Sequence, residues 1–198
     1  FGQVAHFIPT RDMTGFNLQH ALLALLPHAI AVKKVEKVSP RFHSQISATS
    51  KTYVYRIWNS PVPSALWAKR SLWIRKPLNL ERLNEAAQHF VGTHDFNALR
   101  SEGSEVPTTV RTINWAKWEQ VGEFIEFSVN GSGFLRQMVR NLVGTQIQIE
   151  MGHRTMDSLK PLLESKDRKQ AGPAVSPQGL YLKEVFYTPE LDNEAQTL

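Results

Sequence analysis

The 198-residue sequence predicts an α+β fold, in which a mixed, largely antiparallel sheet is flanked by helices. Two observations support this prediction. Segments with helical periodicity and segments with strand periodicity follow one another without the regular strand–helix alternation of parallel α/β sheets. Residues 112–119 and 123–130 alternate apolar and polar side chains on the two sides of Val121-Gly122, and this pattern is typical of an antiparallel hairpin.

Further strands are predicted where β-branched and aromatic residues alternate with polar ones. The clearest alternation runs over residues 53–58. The other segments with strand character are residues 4–7, 30–38, 72–74 and 180–187. We expect these segments to join the hairpin in the sheet.

Four segments carry apolar residues at helical spacing, namely residues 16–26, 80–91, 134–143 and 157–165. Thr14 and Asn79 precede the first two segments, and their side chains are suited to cap a helix N-terminus. Pro27 stops the first segment, and Gly92 follows the second at the position where helices commonly end. These four helices are expected to cover the sheet.

The charge balance is moderately basic. Lys and Arg number 23 against 18 Asp and Glu, which gives a net charge of +5 at pH 7. This excess is compatible with a polyanion partner, and the small basic groups are equally compatible with solvated faces of helices and strands. No apolar run reaches the ~18 residues that a membrane-spanning helix requires.

The absence of cysteine restricts the chemistry of the chain. Disulfides, thiolate nucleophiles and Cys-ligated metal sites are all excluded. The seven histidines lack a repeated spacing of metal ligands, and the sequence contains neither a phosphate-binding Gly-rich loop nor a serine-hydrolase elbow. We therefore expect no metal site, and the reducing cytoplasm is the expected compartment.

Tyr53 and Tyr55 lie on the same face of the predicted strand 53–58, because alternate side chains of a strand point the same way. Either both rings pack in the core, or one of them is a platform on which an unstacked base stacks. Spacing leaves both interpretations open.

Arg136 and Arg140 lie one helical turn apart in the segment 134–143. Arg136 fits a solvent-facing position. Arg140 is flanked on both sides by candidate core residues, and an arginine held there is expected to meet a carboxylate or a phosphate.

Five motifs resemble, in order and spacing, those of the tRNA pseudouridine synthase A family, and they cover nearly the whole chain from Gly2 to about Tyr187. The motifs are Gly2-Gln3-Val4-Ala5-His6-Phe7; Phe42-His43 with Ser47-Ala48-Thr49-Ser50-Lys51-Thr52-Tyr53-Val54-Tyr55; Gly92-Thr93-His94-Asp95-Phe96; Gly133-Phe134-Leu135 with Met138-Val139-Arg140-Asn141-Leu142-Val143-Gly144; and Gly179-Leu180-Tyr181-Leu182.

The resemblance implies the pseudouridine synthase version of the α+β fold, with a catalytic domain over residues 1–187 and a polar tail over residues 188–198. It implies a cytoplasmic homodimer whose positive clefts wrap around tRNA. Family members isomerise uridines 38, 39 and 40 of the anticodon stem-loop to pseudouridine, without cofactor or metal. The reaction breaks the N1 glycosidic bond, turns the uracil and rejoins it through C5, after the target base has left the stack.

The same resemblance implies roles for individual residues. Tyr53 matches the tyrosine that stacks on the target uracil and can act as a base, and Leu180 matches an apolar residue that lines the uracil pocket. Arg140 matches the arginine that pairs with the catalytic Asp, and such a cation lowers the pKa of the carboxyl group. Two segments fall where family members touch tRNA. They comprise Phe42, His43, Ser44, Gln45 and Ile46, and Gly103, Ser104, Glu105, Val106 and Pro107.

The carboxylate nucleophile of the family has no match in this chain. It belongs to a Gly-Arg-Thr-Asp-x-Gly-Val-His-Ala/Gly motif directly before the Gly-Gln-Val segment, and this chain begins at Phe1-Gly2-Gln3. The aspartates that do not take its place are Asp12, Asp95, Asp157, Asp167 and Asp192. We therefore expect the parent protein to be an enzyme and these residues alone to be inactive; the alternative is a non-catalytic RNA-binding fragment or relative.

Three features depart from the family pattern. A basic residue used in base flipping aligns with Met13, and Arg11, two residues away, is a candidate substitute. Arg136-Gln137 stands where many members carry two histidines. Glu105 weakens the interpretation of its loop as a simple phosphate contact.

Overall fold

The computed structural model describes residues 1–101, 103 and 106–188, and the chain divides into two compact units. The first unit contains residues 1–3 and 50–185. The second unit contains residues 4–49 together with the chain from residue 186 onward. Of the predicted polar tail, only Thr188 falls within the described residues.

The described residues contain a six-stranded sheet. Its strands are β1 (Ser50–Asn59), β2 (Leu72–Ile74), β3 (Gly92–Asp95), β4 (Val110–Val121), β5 (Phe124–Gly131) and β6 (Leu180–Phe186). The order across the sheet is β2-β1-β5-β4-β3, and β6 also pairs with β1. β1 and β2 run parallel, whereas the β1–β5, β5–β4 and β4–β3 pairs are antiparallel. The predicted mixed, largely antiparallel sheet is confirmed.

Four α-helices accompany the sheet in the described part of the chain. They are α1 (Gly15–Leu25), α2 (Leu80–Gln88), α3 (Met138–Glu150) and α4 (Leu159–Ser165). The side chains of Thr14 and Asn79 accept hydrogen bonds from the first turns of α1 and α2, so both predicted caps are confirmed. None of these helices has the length and apolarity needed to cross a bilayer.

The core of the first unit lies between one face of the sheet and helices α2 and α3. Tyr55 and Ile57 of β1 are completely buried there, together with Leu83 of α2 and Leu142 of α3. Burying one such leucine stabilises the fold by about 1.5–3 kcal/mol. The two helices are therefore held firmly against β1, and the start of α3 lies at a defined place beside this strand.

β4 and β5 form the predicted hairpin. Val121 pairs with Phe124, so that the turn consists of Gly122 and Glu123. Gly122 has a φ angle of 57°, a left-handed conformation that tight hairpin turns use and that glycine adopts without steric cost.

Two of the predicted strands do not form, and the predictions for residues 4–7 and 30–38 are wrong. In the second segment, the carbonyl oxygens of Val32 and Lys33 accept hydrogen bonds from the Gln19 side chain of α1. A helix side chain thus takes the place that a neighbouring strand would have taken. Conversely, β3 has only four residues, too few for its alternation to identify a strand.

The third helix begins later than its apolar spacing predicts, at Met138 rather than Phe134. Gln137 has a φ angle of 60°, and this left-handed residue interrupts the helical backbone. Leu135 is buried although it precedes the helix. The apolar residues of segment 134–143 therefore belong to two structures: a buried loop and the first turns of α3.

Candidate active site

Three segments of the first unit meet at the buried ring of Tyr55. They are β1, the N-terminal turn of α3, and residues 171–179, which lead into β6 and which we call the strap. The Tyr55 hydroxyl donates to the carbonyl oxygen of Ser176 at 2.6 Å. A Cβ atom on Gly179 would lie 2.9 Å from the Tyr55 ring, so the strap crosses directly over this ring.

Tyr53 has a more open environment than Tyr55, although both side chains lie on the same face of β1. Tyr55 is 0% exposed, whereas Tyr53 is half-buried. The Tyr53 ring makes an edge contact with Phe134, at 5.1 Å between the ring centroids and an interplanar angle of 76°. Of the two interpretations left open by spacing, Tyr55 fits the core and Tyr53 retains exposed ring surface on which a base could stack.

The pKa shifts of the two tyrosine hydroxyls also have different causes. Burial raises the pKa of Tyr53 above its ordinary value of 10.0, so the hydroxyl is protonated at neutral pH. Burial also raises the pKa of Tyr55, and the nearby positive charge of Arg140 partly offsets that rise. The Tyr55 phenol therefore remains a hydrogen-bond donor throughout the physiological range.

Arg140 occupies the first turn of α3 and contacts the strap. Its Nε–H donates to the carbonyl oxygen of Val175 at 2.6 Å, and the Val175 N–H donates to the Arg140 carbonyl oxygen at 3.3 Å. Among the described residues, no carboxylate lies within ion-pair distance of its guanidinium group. The terminal nitrogens of this half-buried cation are therefore available to an anion, which the nearby N-terminus of α3 would also favour.

The strap also forms hydrogen bonds and close contacts beside helix α3. The N–H of Gly172 donates to Thr145 Oγ1 at 3.1 Å, and the Arg168 side chain donates to the Gly172 carbonyl oxygen at 3.0 Å. Gly144 has no side chain at the place where Pro173 passes, and a Cβ atom there would overlap the Pro173 carbonyl oxygen. The strap and the N-terminal half of α3 thus form one packed element.

Leu180 is the first residue of β6 and directly follows Gly179 of the strap. It is half-buried and packs against the core of the first unit. Tyr53, Arg140 and Leu180 thus belong to the three segments that adjoin Tyr55: β1, the first turn of α3, and the residue that follows the strap. These three residues are the ones to which the family resemblance assigns substrate contact or catalysis.

One of the two predicted tRNA-contacting segments lies beside α3. Arg136 Nη1 donates to the carbonyl oxygen of Gly103 at 3.1 Å, so Gly103 is held near the start of this helix. Val106 is partly buried against the core, and Pro107 is exposed. Ser104 and Glu105 lie outside the described residues.

The other predicted contacts belong to the second unit. Phe42 packs its ring against Tyr187 at 4.8 Å, and the His43 Nδ1 atom accepts from the N–H groups of Gln45 and Ile46. Ser44 Oγ lies 3.0 Å from His6 Nδ1. Ile46 is 81% exposed, and Arg11 is also exposed. Residues 42–46 thus form a compact turn with one outward apolar side chain.

Asp95 lies in the first unit, but its carboxylate is engaged elsewhere. Thr109 Oγ1 and the Asn97 N–H donate to Oδ1 at 2.6 and 3.0 Å, and Lys166 Nζ lies 3.1 Å from Oδ2. Burial disfavours ionisation, but these hydrogen bonds and the lysine charge outweigh burial and lower the pKa of Asp95. The Asp95 carboxylate is thus occupied by Thr109, Asn97 and Lys166.

No group of three or more His, Asp or Glu side chains that could hold a metal ion is found among the described residues.

Sequence patterns missed the strap residues Val175 and Ser176, because both act through backbone carbonyl groups that any residue type would supply. One available signal was Asn141, a polar residue inside an apolar helical stretch. It is fully buried, and its Oδ1 atom accepts from Arg168, whose side chain also donates to Gly172 of the strap.

The sequence is similar to several known proteins. A family model described as tRNA pseudouridine synthase matches residues 86–188. A tRNA pseudouridine synthase A from Acetivibrio thermocellus is 40% identical over 94% of this chain and 76% of its own length. The protein of the same name from Bdellovibrio bacteriovorus is 40% identical over 99% of this chain and 76% of its own length. A tRNA pseudouridine synthase A 2 from Clostridium tetani is 37% identical over 92% and 74%, respectively.

Proposed function

Because the chain belongs to the tRNA pseudouridine synthase family, we propose that the protein isomerises uridine to pseudouridine in tRNA. Two observations support this proposal: the Tyr53 ring is only half-buried, and Arg140, beside Tyr55 of the same strand, has no carboxylate partner among the described residues. The ring offers a surface for a flipped base, and the guanidinium offers a partner for the carboxylate that attacks the sugar.

The reaction needs no reagent besides the substrate. The bond between C1′ and N1 of the uridine breaks and a bond between C1′ and C5 forms, while the proton on C5 is lost and N1 gains one. Atoms and electrons therefore balance without an oxidant, a reductant or a cofactor. We propose that the protein carries out this isomerisation with neither cofactor nor metal.

Each site residue then has a separate task. Tyr53 stacks on the uracil once it has left the helix, and Leu180 borders the same pocket with an apolar side chain. Arg140 pairs with the nucleophilic carboxylate and keeps it ionised, because a neighbouring cation lowers a carboxyl pKa. Since none of the described carboxylates pairs with Arg140, we propose that the nucleophile lies outside the described residues and that these residues alone are inactive.

The finer features are proposals that rest on the family resemblance. We propose that the targets are uridines 38, 39 and 40 of the anticodon stem-loop, and that the enzyme is a cytoplasmic homodimer with residues 1–187 in its catalytic domain. The tRNA contacts would come from residues 42–46, from residues 103–107 and from Arg11. The exposed Ile46 and Arg11 support such a surface role.

The decisive experiment measures pseudouridine in an unmodified tRNA transcript after incubation with the full-length protein. We expect the wild type to form pseudouridine and Tyr53→Leu to form none, with tRNA binding largely retained, because many phosphate contacts outnumber the single stacked base.

A matched Tyr53→Phe variant keeps the ring and removes only the hydroxyl, which separates stacking from proton transfer. Activity that survives in Tyr53→Phe assigns stacking alone to Tyr53. A wild-type protein that binds tRNA without forming pseudouridine would favour the non-catalytic RNA-binding alternative, and an active Tyr53→Leu variant would remove the role given to this ring.

A further inference from the structure

The orientation of Arg140 depends on a backbone carbonyl group of the strap. Its Nε–H donates to the Val175 carbonyl oxygen at 2.6 Å, and the Val175 N–H returns a hydrogen bond to the Arg140 carbonyl oxygen. A guanidinium group is planar, so fixing Nε also fixes the plane in which its terminal nitrogens can meet a carboxylate. The position of Val175 therefore sets the direction in which Arg140 presents its charge.

The strap is held on both sides of Val175. On the N-terminal side, the hydrogen bonds of Gly172 with Thr145 and Arg168 tie the strap towards α3. On the C-terminal side, the Tyr55 hydroxyl donates to the carbonyl oxygen of Ser176, one peptide unit beyond Val175. The two attachments come from different elements, so the Val175 carbonyl group is set by α3 and β1 together.

Tyr55 is well suited to such a role. It is completely buried, its hydrogen bond is short at 2.6 Å, and Gly179 lies against its ring. A tyrosine side chain has few rotatable bonds, and here the surrounding packing leaves its ring no room to move. The hydroxyl is thereby a rigid contact point for the strap.

We propose that Tyr55 is a positioning residue for the reaction: through Ser176 it fixes the Val175 carbonyl group that orients the Arg140 guanidinium group towards the catalytic carboxylate. The inference rests on the proposed function for what Arg140 does once oriented. The orientation itself is a property of the contacts among Tyr55, the strap and Arg140, and it can be measured without the reaction.

The test is Tyr55→Phe in the full-length protein, which removes one hydroxyl and keeps the ring under Gly179. The first readout is hydrogen exchange of the Arg140 Nε–H, followed by NMR and assigned with an Arg140→Lys variant. The second is the split between kcat and KM on tRNA. We expect Nε–H exchange to accelerate, and kcat to fall by about tenfold or more with KM nearly unchanged, because displacements near 1 Å at a reacting group can cost about a hundredfold.

The matched control is Tyr181→Phe, which makes the same chemical change. The Tyr181 hydroxyl also donates to a backbone carbonyl oxygen at 2.6 Å, but this carbonyl belongs to Arg70, outside the strap. We expect this variant to leave both the Arg140 Nε–H exchange and kcat at their wild-type values.

Several outcomes would overturn the inference. Unchanged Nε–H exchange in Tyr55→Phe contradicts it, even if stability and kcat both fall, because Tyr55 would then act only in folding. If Tyr55→Phe does not fold, Thr145→Val releases the strap on its other side, and unchanged Nε–H exchange in that variant also contradicts the inference. If the wild type makes no pseudouridine, the proposed function fails, whereas the exchange measurement still decides the positioning of Arg140.

Discussion

Tyr53 and Tyr55 have the same side chain and occupy the same face of β1, yet their surroundings divide two tasks between them. Tyr55 has its hydroxyl bound and its ring covered by the strap. The Tyr53 hydroxyl makes no hydrogen bond to the described residues, and its ring remains half-buried beside Phe134. Tyr55 is thus a packed core residue, whereas Tyr53 remains partly accessible to a ligand.

Arg140→Met tests the electrostatic role of a single residue, the Arg140 cation. Removing the cation should lower kcat by about a hundredfold or more, the range found when a single charge-stabilising donor is lost. The cation lowers the pKa of the attacking carboxyl group, so its loss should also move the acidic limb of the kcat/KM profile to higher pH in any residual activity. The measurement is a pH series of pseudouridine formation.

Arg82→Met is the control for Arg140→Met, because Arg82 is an exposed arginine of α2. It removes an equal charge without touching the cluster around Tyr55, and it should leave kcat and its pH profile unchanged. An Arg140→Met variant with wild-type turnover would return Arg140 to a purely structural role.

Helix α3 and the strap act as one element because their backbones approach closely at Gly144. The helix presents Arg140 one turn before this glycine, and the strap passes over it at Pro173. Thr145, the residue after Gly144, accepts a hydrogen bond from the Gly172 N–H. The absence of one side chain at Gly144 therefore allows the contact that brings Val175 to Arg140.

Gly144→Ala should destabilise the protein, although alanine favours a helix by about 1 kcal/mol over glycine. The added Cβ atom would overlap the Pro173 carbonyl oxygen, which is backbone and cannot rotate away. Overpacking of this kind costs about 1–3 kcal/mol or more, so we expect a net loss of about 1–2 kcal/mol in urea unfolding.

Gln148→Ala, in the same helix, serves as the control for Gly144→Ala. Its side chain has no contact with the strap among the interactions of the described residues, and its substitution should change the free energy of unfolding by less than about 0.5 kcal/mol. If Gly144→Ala were as stable as the control or more so, the strap could not be packed on α3 in this way.

Over the whole molecule, positive charge exceeds negative charge by five. Arg111 of β4 approaches Gly133, in the loop that leads to α3. Lys117 of the same strand is instead paired with Glu119 at 2.7 Å. Arg111 has no carboxylate partner among the described residues, so these two cations of β4 should contribute differently to the binding of a polyanion.

Binding of tRNA should weaken steeply with salt, because each phosphate that is neutralised releases condensed counterions. For about five such phosphates, raising the salt concentration from about 50 to 200 mM should raise Kd by roughly five-hundredfold. Arg111→Gln should make the slope of log Kd against log salt shallower by about one unit.

Lys117→Gln is the control for this measurement and should leave the salt slope unchanged. Affinity followed by fluorescence anisotropy over a salt series gives both slopes. A Kd independent of salt would contradict the proposal that phosphate contacts dominate binding.

Local patterns in the sequence were enough for much of the fold. The β4–β5 hairpin follows from alternation around Val121-Gly122, and the helix caps at Thr14 and Asn79 follow from residue type and position. The failures at residues 4–7 and 30–38 have a common cause. A strand exists only when another strand pairs with it, and short-range alternation carries no information about a distant partner.

By itself, the sequence determined the α+β class, the order of most elements, the absence of cysteine chemistry and the family to which the motifs point. The tertiary structure alone decided which tyrosine is buried, where α3 begins, and which group holds Arg140. The physical reason is that the strap acts through the carbonyl groups of Val175 and Ser176. Every residue carries such a group, so only the folded chain shows which of them receive a hydrogen bond.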